Sequence, residues 1–204
     1  MIDHLVYATP DLDATVADLA GQGLALSPGG SHDGRGTRNA LADLGGGAYL
    51  EVLGPDPDQP VPGEPRPGGV DALTAPRLVA WATPVADLDD AVAAARARGH
   101  DPGAARDMAR LRGDGVRLAW RLTPMPATVP AVLPFLIAWG DTEHPSVSAA
   151  HGARLESFTV AHPDPAAVRE RLAALGVTDL TVEPAPEPAL RAVIRTPSAR
   201  VELA

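Results

Sequence analysis

The chain has 204 residues, a formal net charge of −9 at pH 7 and no cysteine. This length allows one sizeable hydrophobic core or two small ones. The acidic balance, without any cluster of Lys and Arg, argues against nucleic acid and anionic membranes as partners. The missing cysteine excludes disulfides, thiolate metal sites and cysteine nucleophiles, so a metal would have to bind His, Asp, Glu or water.

The N-terminal segment "MIDHLVYATPDLD" lacks the basic and then apolar pattern of a signal peptide. No run of the sequence approaches the roughly 18 apolar residues that a membrane-spanning helix needs. We therefore expect a soluble, cytoplasmic protein.

Three stretches share one pattern: a β-type run ending at a proline, an aspartate suited to cap a helix, an amphipathic helix and a closing glycine. They are "HLVYATPDLDATVADLAGQG", "RLVAWATPVADLDDAVAAARARG" and "SFTVAHPDPAAVRERLAALG". Strand-like runs follow each helix, so the repeat predicts three βαβββ units, at about residues 1–54, 77–123 and 154–204. One helix on a small, mainly antiparallel sheet in each unit indicates the α+β class.

Two segments fall outside these units. Residues 55–76 are rich in proline and are predicted to be a linker. Residues 124–153 are predicted to be an insertion, with one apolar strand over Leu133 to Trp139 and then a polar loop. Within the second unit, the "GDG" at 113–115 is typical of a hairpin turn.

Two polar residues stand in otherwise apolar strands, where a charge needs a partner. His4 shares a strand face with Val6, and Glu51 shares one with Leu53. First and last strands of a βαβββ unit can lie close together, so His4, Glu51 and water are a plausible set for Fe, Mn, Zn or Ni. The alternative is a core histidine, with Glu51 paired to Arg35 or Arg38.

A glycine-rich loop, "GGSHDGRGTRN", follows the first helix and contains His32. Its glycines would let the backbone approach a ligand, and Thr37 and Asn39 could supply hydrogen bonds. A solvated surface loop has the same composition.

His144 follows the apolar strand that ends at Trp139, in "WGDTEHPS". Polar groups beside an aromatic residue at a strand exit are typical of a pocket rim, although a solvated turn would look similar. The remaining histidines lack an apolar setting and are interpreted as incidental. Glu202 occupies the place in the third unit that Glu51 holds in the first. Neither a nucleophile elbow nor a Walker A motif is present.

The segments "DHLVYATPDLD", "GGSHDGRGTRNALADLGGGAYLEVLGPDP" and "LPFLIAWGDTEHPS" together resemble the glyoxalase-like proteins of the vicinal oxygen chelate superfamily. The resemblance is strongest over residues 1–57 and 133–146 and looser over the rest of the chain. It implies a single glyoxalase-like domain over residues 1–204, in which βαβββ units form a curved mixed sheet around a cavity. In some relatives a second copy of the chain completes the cavity, so the resemblance also implies that a homodimer could form.

The resemblance further implies a divalent metal, held by His4 on the first strand and Glu51 on the last strand of unit one. The matching positions of the other units hold Leu78, Ala119 and Ser157, so His144 or His32 would have to complete the ligand set. The implied function is a small-molecule enzyme with isomerase, lyase or dioxygenase chemistry on an oxygen-rich substrate.

Within that interpretation Glu51 and His144 are the candidate catalytic groups, and His32, Thr37, Asn39 and Trp139 are the candidate substrate contacts. Without a metal, Glu51 could still act as a general base. The alternative function is a non-catalytic protein that binds or sequesters a small molecule, because the fold alone does not settle catalysis.

Overall fold

A computed structural model of the chain describes residues 1–112, 115–126 and 129–204. That part contains twelve β-strands, three α-helices and two short 3-10 helices, which confirms the predicted α+β class. None of its helices has the length and apolar character required to cross a membrane.

Unit one consists of five elements: β1 (His4–Ala8), α1 (Leu12–Gly21), β2 (Ser27–His32), β3 (Thr37–Asp43) and β4 (Tyr49–Pro55). β4 returns to pair in parallel with β1, and β3 and β2 follow it in antiparallel order. The first and last strands of the unit are therefore direct neighbours, as the sequence predicts.

Unit two repeats this order with β5 (Arg77–Pro84), α2 (Leu88–Ala97), β6 (Arg106–Leu111), β7 (Arg117–Leu122) and β8 (Phe135–Ala138). Its last strand, β8, pairs in parallel with β5 and antiparallel with β7. The expected insertion over 124–153 therefore contains a strand that belongs to the barrel. The short apolar run at β8 fills the same place beside β5 that β4 fills beside β1. The first two residues of the expected "GDG" turn lie outside the described part of the chain.

The two units close into one barrel with the strand order β1-β4-β3-β2-β6-β7-β8-β5. One seam is the antiparallel pair β1–β5, which extends over five residue pairs. The other seam, β2–β6, is a single pair between Ser31 and Leu111. This curved mixed sheet is the architecture that the sequence predicts.

The third unit has the predicted element order: β9 (Arg154–His162), α3 (Pro165–Ala174), β10 (Thr181–Pro184), β11 (Ala189–Arg195) and β12 (Arg200–Leu203). Its pairing differs from units one and two, because β10 joins β9 in parallel and β11 pairs with the other side of β9. The result is a separate sheet, β10-β9-β11-β12, that does not enter the barrel.

Each α-helix starts at an aspartate, as the repeat predicts. The carboxylates of Asp11, Asp87 and Asp164 each accept a hydrogen bond from a backbone N–H in the first turn. Because such caps satisfy donors that the helix leaves free, they fix where each helix begins.

Two apolar clusters divide the inward and outward faces of the strands. The outer cluster joins Leu5 and Leu50 of the barrel to the helices and to the second sheet, where Trp81 packs against Phe158. The inner cluster contains Val6 and other alternate residues that point into the barrel. Since side chains alternate along a strand, this division directs His4 and Glu51 inward.

The proline-rich segment is more than a connection between β4 and β5. It contains the 3-10 helix Pro67–Ala72, and the backbone of Gly68 lies against Val79 and Leu53 of the barrel. The Arg66 side chain links this segment to the barrel, because its Nε donates a hydrogen bond to the carbonyl of Gly36 at 2.8 Å. As a consequence, residues 64–69 line the interior of the barrel.

Candidate active site

The barrel encloses a cavity of about 470 Å³, which is the size of a small-molecule site. Its two halves differ in character. Unit one contributes mainly polar groups, namely His4, His32, Asn39 and Glu51. Unit two contributes mainly apolar groups, among them Trp120, Leu122, Phe135 and Ile137.

His4 is oriented by Asp3, the residue before it. The distance between His4 Nδ1 and Asp3 Oδ1 is 2.6 Å, and both side chains are buried. Because an ionised carboxylate only accepts, the ring proton lies on Nδ1, and the lone pair of Nε2 is free to face the cavity. The stacked ring of Tyr49 holds the imidazole from one side, with the ring centroids 4.7 Å apart.

Asp3 is itself held by further donors. Its Oδ2 accepts from Trp139 Nε1 at 3.0 Å and from His144 Nε2 at 3.2 Å. Burial alone would raise the pKa of Asp3, but the hydrogen bonds from His144 and His4 and the charges of those rings outweigh it. The pKa of Asp3 is therefore held well below its ordinary value, and the group stays an anion.

Glu51 is fixed from β3 by Asn39. Asn39 Nδ2 donates to Glu51 Oε1 at 2.6 Å, and Glu51 Oε2 lies 3.8 Å from His4 Nε2. Arg35 and Arg38, the sequence-based alternatives as its partners, instead pair with Glu64 and Asp13. The carboxylate is only 8% exposed, lines the cavity, and forms no ion pair with an arginine among the described residues.

His32 lies on the other side of the same carboxylate. Its Nε2 is 3.7 Å from Glu51 Oε1, and its Nδ1 is 3.1 Å from the Thr37 hydroxyl. Burial lowers the pKa of His32, the charge of Glu51 opposes that effect, and the charges of Arg110 and Arg35 add to it. The ring is therefore neutral at neutral pH.

The three remaining sequence-derived site residues make the following contacts. His144 does not join Glu51, because its Nε2 contacts Asp3 and its Nδ1 contacts the Ser146 hydroxyl at 2.8 Å. Thr37 is fully buried, and its hydroxyl contacts the His32 ring. Trp139 lines the cavity with its ring and donates to Asp3 with its indole nitrogen.

Arg110 on β6 is a site residue that the sequence analysis does not identify. It is only 3% exposed, lines the cavity, and donates from Nη1 to the carbonyl of Gly29. Burial lowers the pKa of Arg110 and the charge of Glu51 opposes this, and a guanidinium remains protonated at neutral pH. The signal in the sequence is the alternation of Arg106, Met108 and Arg110, which places all three on one face of the strand.

For a divalent metal, these residues offer two fitting donors. His4 Nε2 and Glu51 Oε2 face the same cavity, and neither has a hydrogen-bond partner among the described residues. A carboxylate behind a histidine, as Asp3 stands behind His4, is the arrangement usual for metal-binding imidazoles. Within residues 1–112, 115–126 and 129–204, no group of three or more His, Asp or Glu side chains is arranged to hold an ion. Substrate oxygens and water would therefore have to fill the remaining positions.

Comparison with protein families gives a match over residues 2–176 to the model described as a glyoxalase-like domain. A search of the curated proteins gives no significant match. Among solved structures, a hypothetical protein from Staphylococcus aureus is similar with a TM-score of 0.71 and 13% identity, covering 100% of this chain and 98% of that one. This likeness shows the fold.

Two methylmalonyl-CoA epimerases of the vicinal oxygen chelate superfamily are also similar. The enzyme from Mycobacterium tuberculosis has a TM-score of 0.44 and 21% identity, covering 72% of this chain and 91% of that one. A Streptomyces coelicolor variant in complex with 2-nitronate-propionyl-CoA has a TM-score of 0.43 and 22% identity, covering 70% and 96%.

Proposed function

Because this chain belongs to the glyoxalase-like domain family, we propose that it is a small-molecule enzyme with His4 and Glu51 as its central pair. One observation carries the proposal: His4 Nε2 and Glu51 Oε2 are 3.8 Å apart and face one cavity. Both groups come from strands of the first unit that pair directly, so the rigid sheet sets their separation.

In the metal-free form of this proposal, Glu51 accepts a proton from a substrate C–H beside an oxygen function. Asn39 holds the carboxylate so that Oε2 remains directed at the ligand. A general base in this position contributes about 10² to 10⁴ in rate. Proton transfer of this type fits isomerase or lyase chemistry.

The proposed cofactor is a divalent metal, one of Fe, Mn, Zn or Ni, which His4 and Glu51 would hold. When bound, it would supply Lewis-acid stabilisation of negative charge on a substrate oxygen. The contribution of Asp3 is to keep the proton on His4 Nδ1, so that Nε2 stays a donor toward the cavity.

Metal content tests this proposal. The chain is purified without chelators or an affinity tag, dialysed against each of the four metals, and analysed by mass spectrometry of the bound element. We expect about one ion in the wild type and its loss in His4→Ala and Glu51→Gln. His151→Ala serves as the matched control, because His151 is exposed and pairs with Asp43 outside the cavity. Equal metal content in all four proteins would overturn the assignment.

The alternative is a protein that binds a small molecule without reacting with it. The apolar half of the cavity, with Trp120 against Trp139 and Phe135 beside His4, favours this second candidate. The two candidates differ in their response to Glu51→Gln, which abolishes turnover in the enzyme. A sequestering protein has no turnover, so the same substitution should change only its affinity for the ligand.

A further inference from the structure

Arg110 is a buried cation without a buried anion in contact. Only 3% of Arg110 is exposed to solvent. Its one hydrogen bond within the described residues goes to the Gly29 carbonyl. No carboxylate in that part of the chain forms an ion pair with it. A buried guanidinium is costly unless it is paired, so the remaining N–H groups require an acceptor.

The cavity itself is the place where such an acceptor can bind. Arg110 lines it together with Glu51, and the two charges influence each other without meeting in an ion pair. The described lining residues include four arginines and two glutamates, whereas the whole chain carries a net charge of −9. The cavity is therefore a cationic region in an acidic protein, and it concentrates anions.

Apolar side chains continue the cavity beyond Arg110. Met108 precedes it on the same face of β6, Trp120 lies on the neighbouring β7, and Phe135 lies on β8 beyond it. A ligand held at Arg110 therefore meets an apolar wall on the unit-two side and the Glu51 carboxylate on the unit-one side.

From these contacts we propose that the ligand is a small organic carboxylate with an apolar side group, and that Arg110 binds its carboxylate. A guanidinium binds a carboxylate with two parallel hydrogen bonds, so it selects for planar anions. The carbon next to the carboxylate then lies between Arg110 and Glu51, where a base would act. This inference rests on the proposed function for its chemistry, but its binding step is independent of turnover.

Calorimetric titration of the full chain tests the proposal with 3-phenylpropanoate and its neutral analogue, 3-phenylpropanamide. We expect the acid to bind at least about tenfold more tightly than the amide. Arg110→Met should abolish this preference and leave amide binding within about twofold. Arg110→Lys, which keeps the charge but not the planar fork, should retain only part of it and serves if the Met variant does not fold. Arg117→Met is the control, because Arg117 is exposed on β7 and is not part of the lining.

Four results would overturn the assignment. The first two are equal affinity for acid and amide, and binding of neither. The third is a preference that survives in Arg110→Met, and the fourth is tighter binding of phenyl phosphate, which would identify a phosphate site instead. Glu51→Gln separates this inference from the proposed function, because that variant should lose its bound metal while it binds 3-phenylpropanoate at least as tightly as the wild type.

Discussion

Asn39 and Glu51 are joined across neighbouring strands by a 2.6 Å hydrogen bond, although they are not register partners. The ladder pairs Asn39 with Leu53 and Leu41 with Glu51, so the two polar residues are diagonal neighbours on the inner face. Diagonal neighbours lie within reach of long side chains. The position of the carboxylate therefore depends on β3 as well as on its own strand.

Replacing Asn39 by aspartate should move the pH dependence of activity. The substitution places a second carboxylate beside Glu51, and two such groups in contact do not both ionise readily, so they share a proton. We expect the rising limb of the pH–rate profile to shift upward by about 1 unit or more. Asn39→Ala should slow the reaction without this shift, and a shift of equal size in both variants would argue against the pairing.

A methyl group at Gly29 should disturb the hydrogen bond between Asn39 and Glu51. A Cβ built there would lie 2.1 Å from Asn39 Oδ1, so Asn39 has to move and release Glu51. We expect Gly29→Ala to lower activity and to cost about 1 to 3 kcal/mol in the free energy of unfolding, as overpacking usually does. Gly21→Ala is the control, because nothing lies within 4 Å of its Cβ position and alanine favours α1. Activity equal to that of the control would refute the coupling.

Asp3 should make stability depend on pH in the acid range. Its pKa in the folded state is held below the 3.8 of an ordinary aspartate, so its contribution is complete above about pH 4. That contribution is lost as the pH falls through the folded-state pKa. Urea unfolding at about pH 6 should show Asp3→Asn to be less stable than the wild type by about 2 to 3 kcal/mol.

At pH 3 and below the same difference between wild type and Asp3→Asn should shrink. His162→Gln provides a comparison that leaves the Asp3 carboxylate intact, because His162 ends β9 and its ring contacts the backbone oxygen of Asp164. A gap between wild type and Asp3→Asn that does not vary with pH would mean that Asp3 acts through packing alone.

His32 should affect stability in the neutral range with a definite sign. Burial lowers its pKa from the ordinary 6.5, so below that pH the unfolded chain takes up a proton that the folded chain does not. Stability should therefore fall as the pH drops below about 6.5, and His32→Gln should weaken that dependence. The ring C–H resonances give a direct readout by NMR: the midpoint of the His32 titration should lie below the ordinary 6.5, and a midpoint at or above 6.5 would contradict the buried state.

Local patterning was sufficient to place the central pair. Alternation along β1 and β4 assigns His4 and Glu51 to the inner faces, and the βαβββ order makes those strands neighbours. The first inference needs only the residues on either side, because the direction of a side chain follows from its position in the strand. The second follows from the order of the elements within one unit.

Features that depend on long-range pairing were not accessible in this way. Arg110 is one of several charges in β6, which resembles a solvated strand until the barrel closes and turns that face inward. β8 was assigned to an insertion because a long connection separates it from β7. His144 contacts Asp3, which lies 141 residues earlier in the chain, and no local sequence pattern predicts such a contact.

The polar half of the cavity comes mainly from unit one and the apolar half mainly from unit two, and strands of the two units pair at the β1–β5 and β2–β6 seams. Most of the polar lining and most of the apolar lining are thus encoded in separate stretches of the gene. Substitutions at Trp120, Leu122 or Ile137 would therefore change the apolar wall of the cavity while the hydrogen bonds from Asp3 to His4 and from Asn39 to Glu51 stay in place. Directed evolution confined to those three positions would vary the shape of the cavity without altering its polar residues.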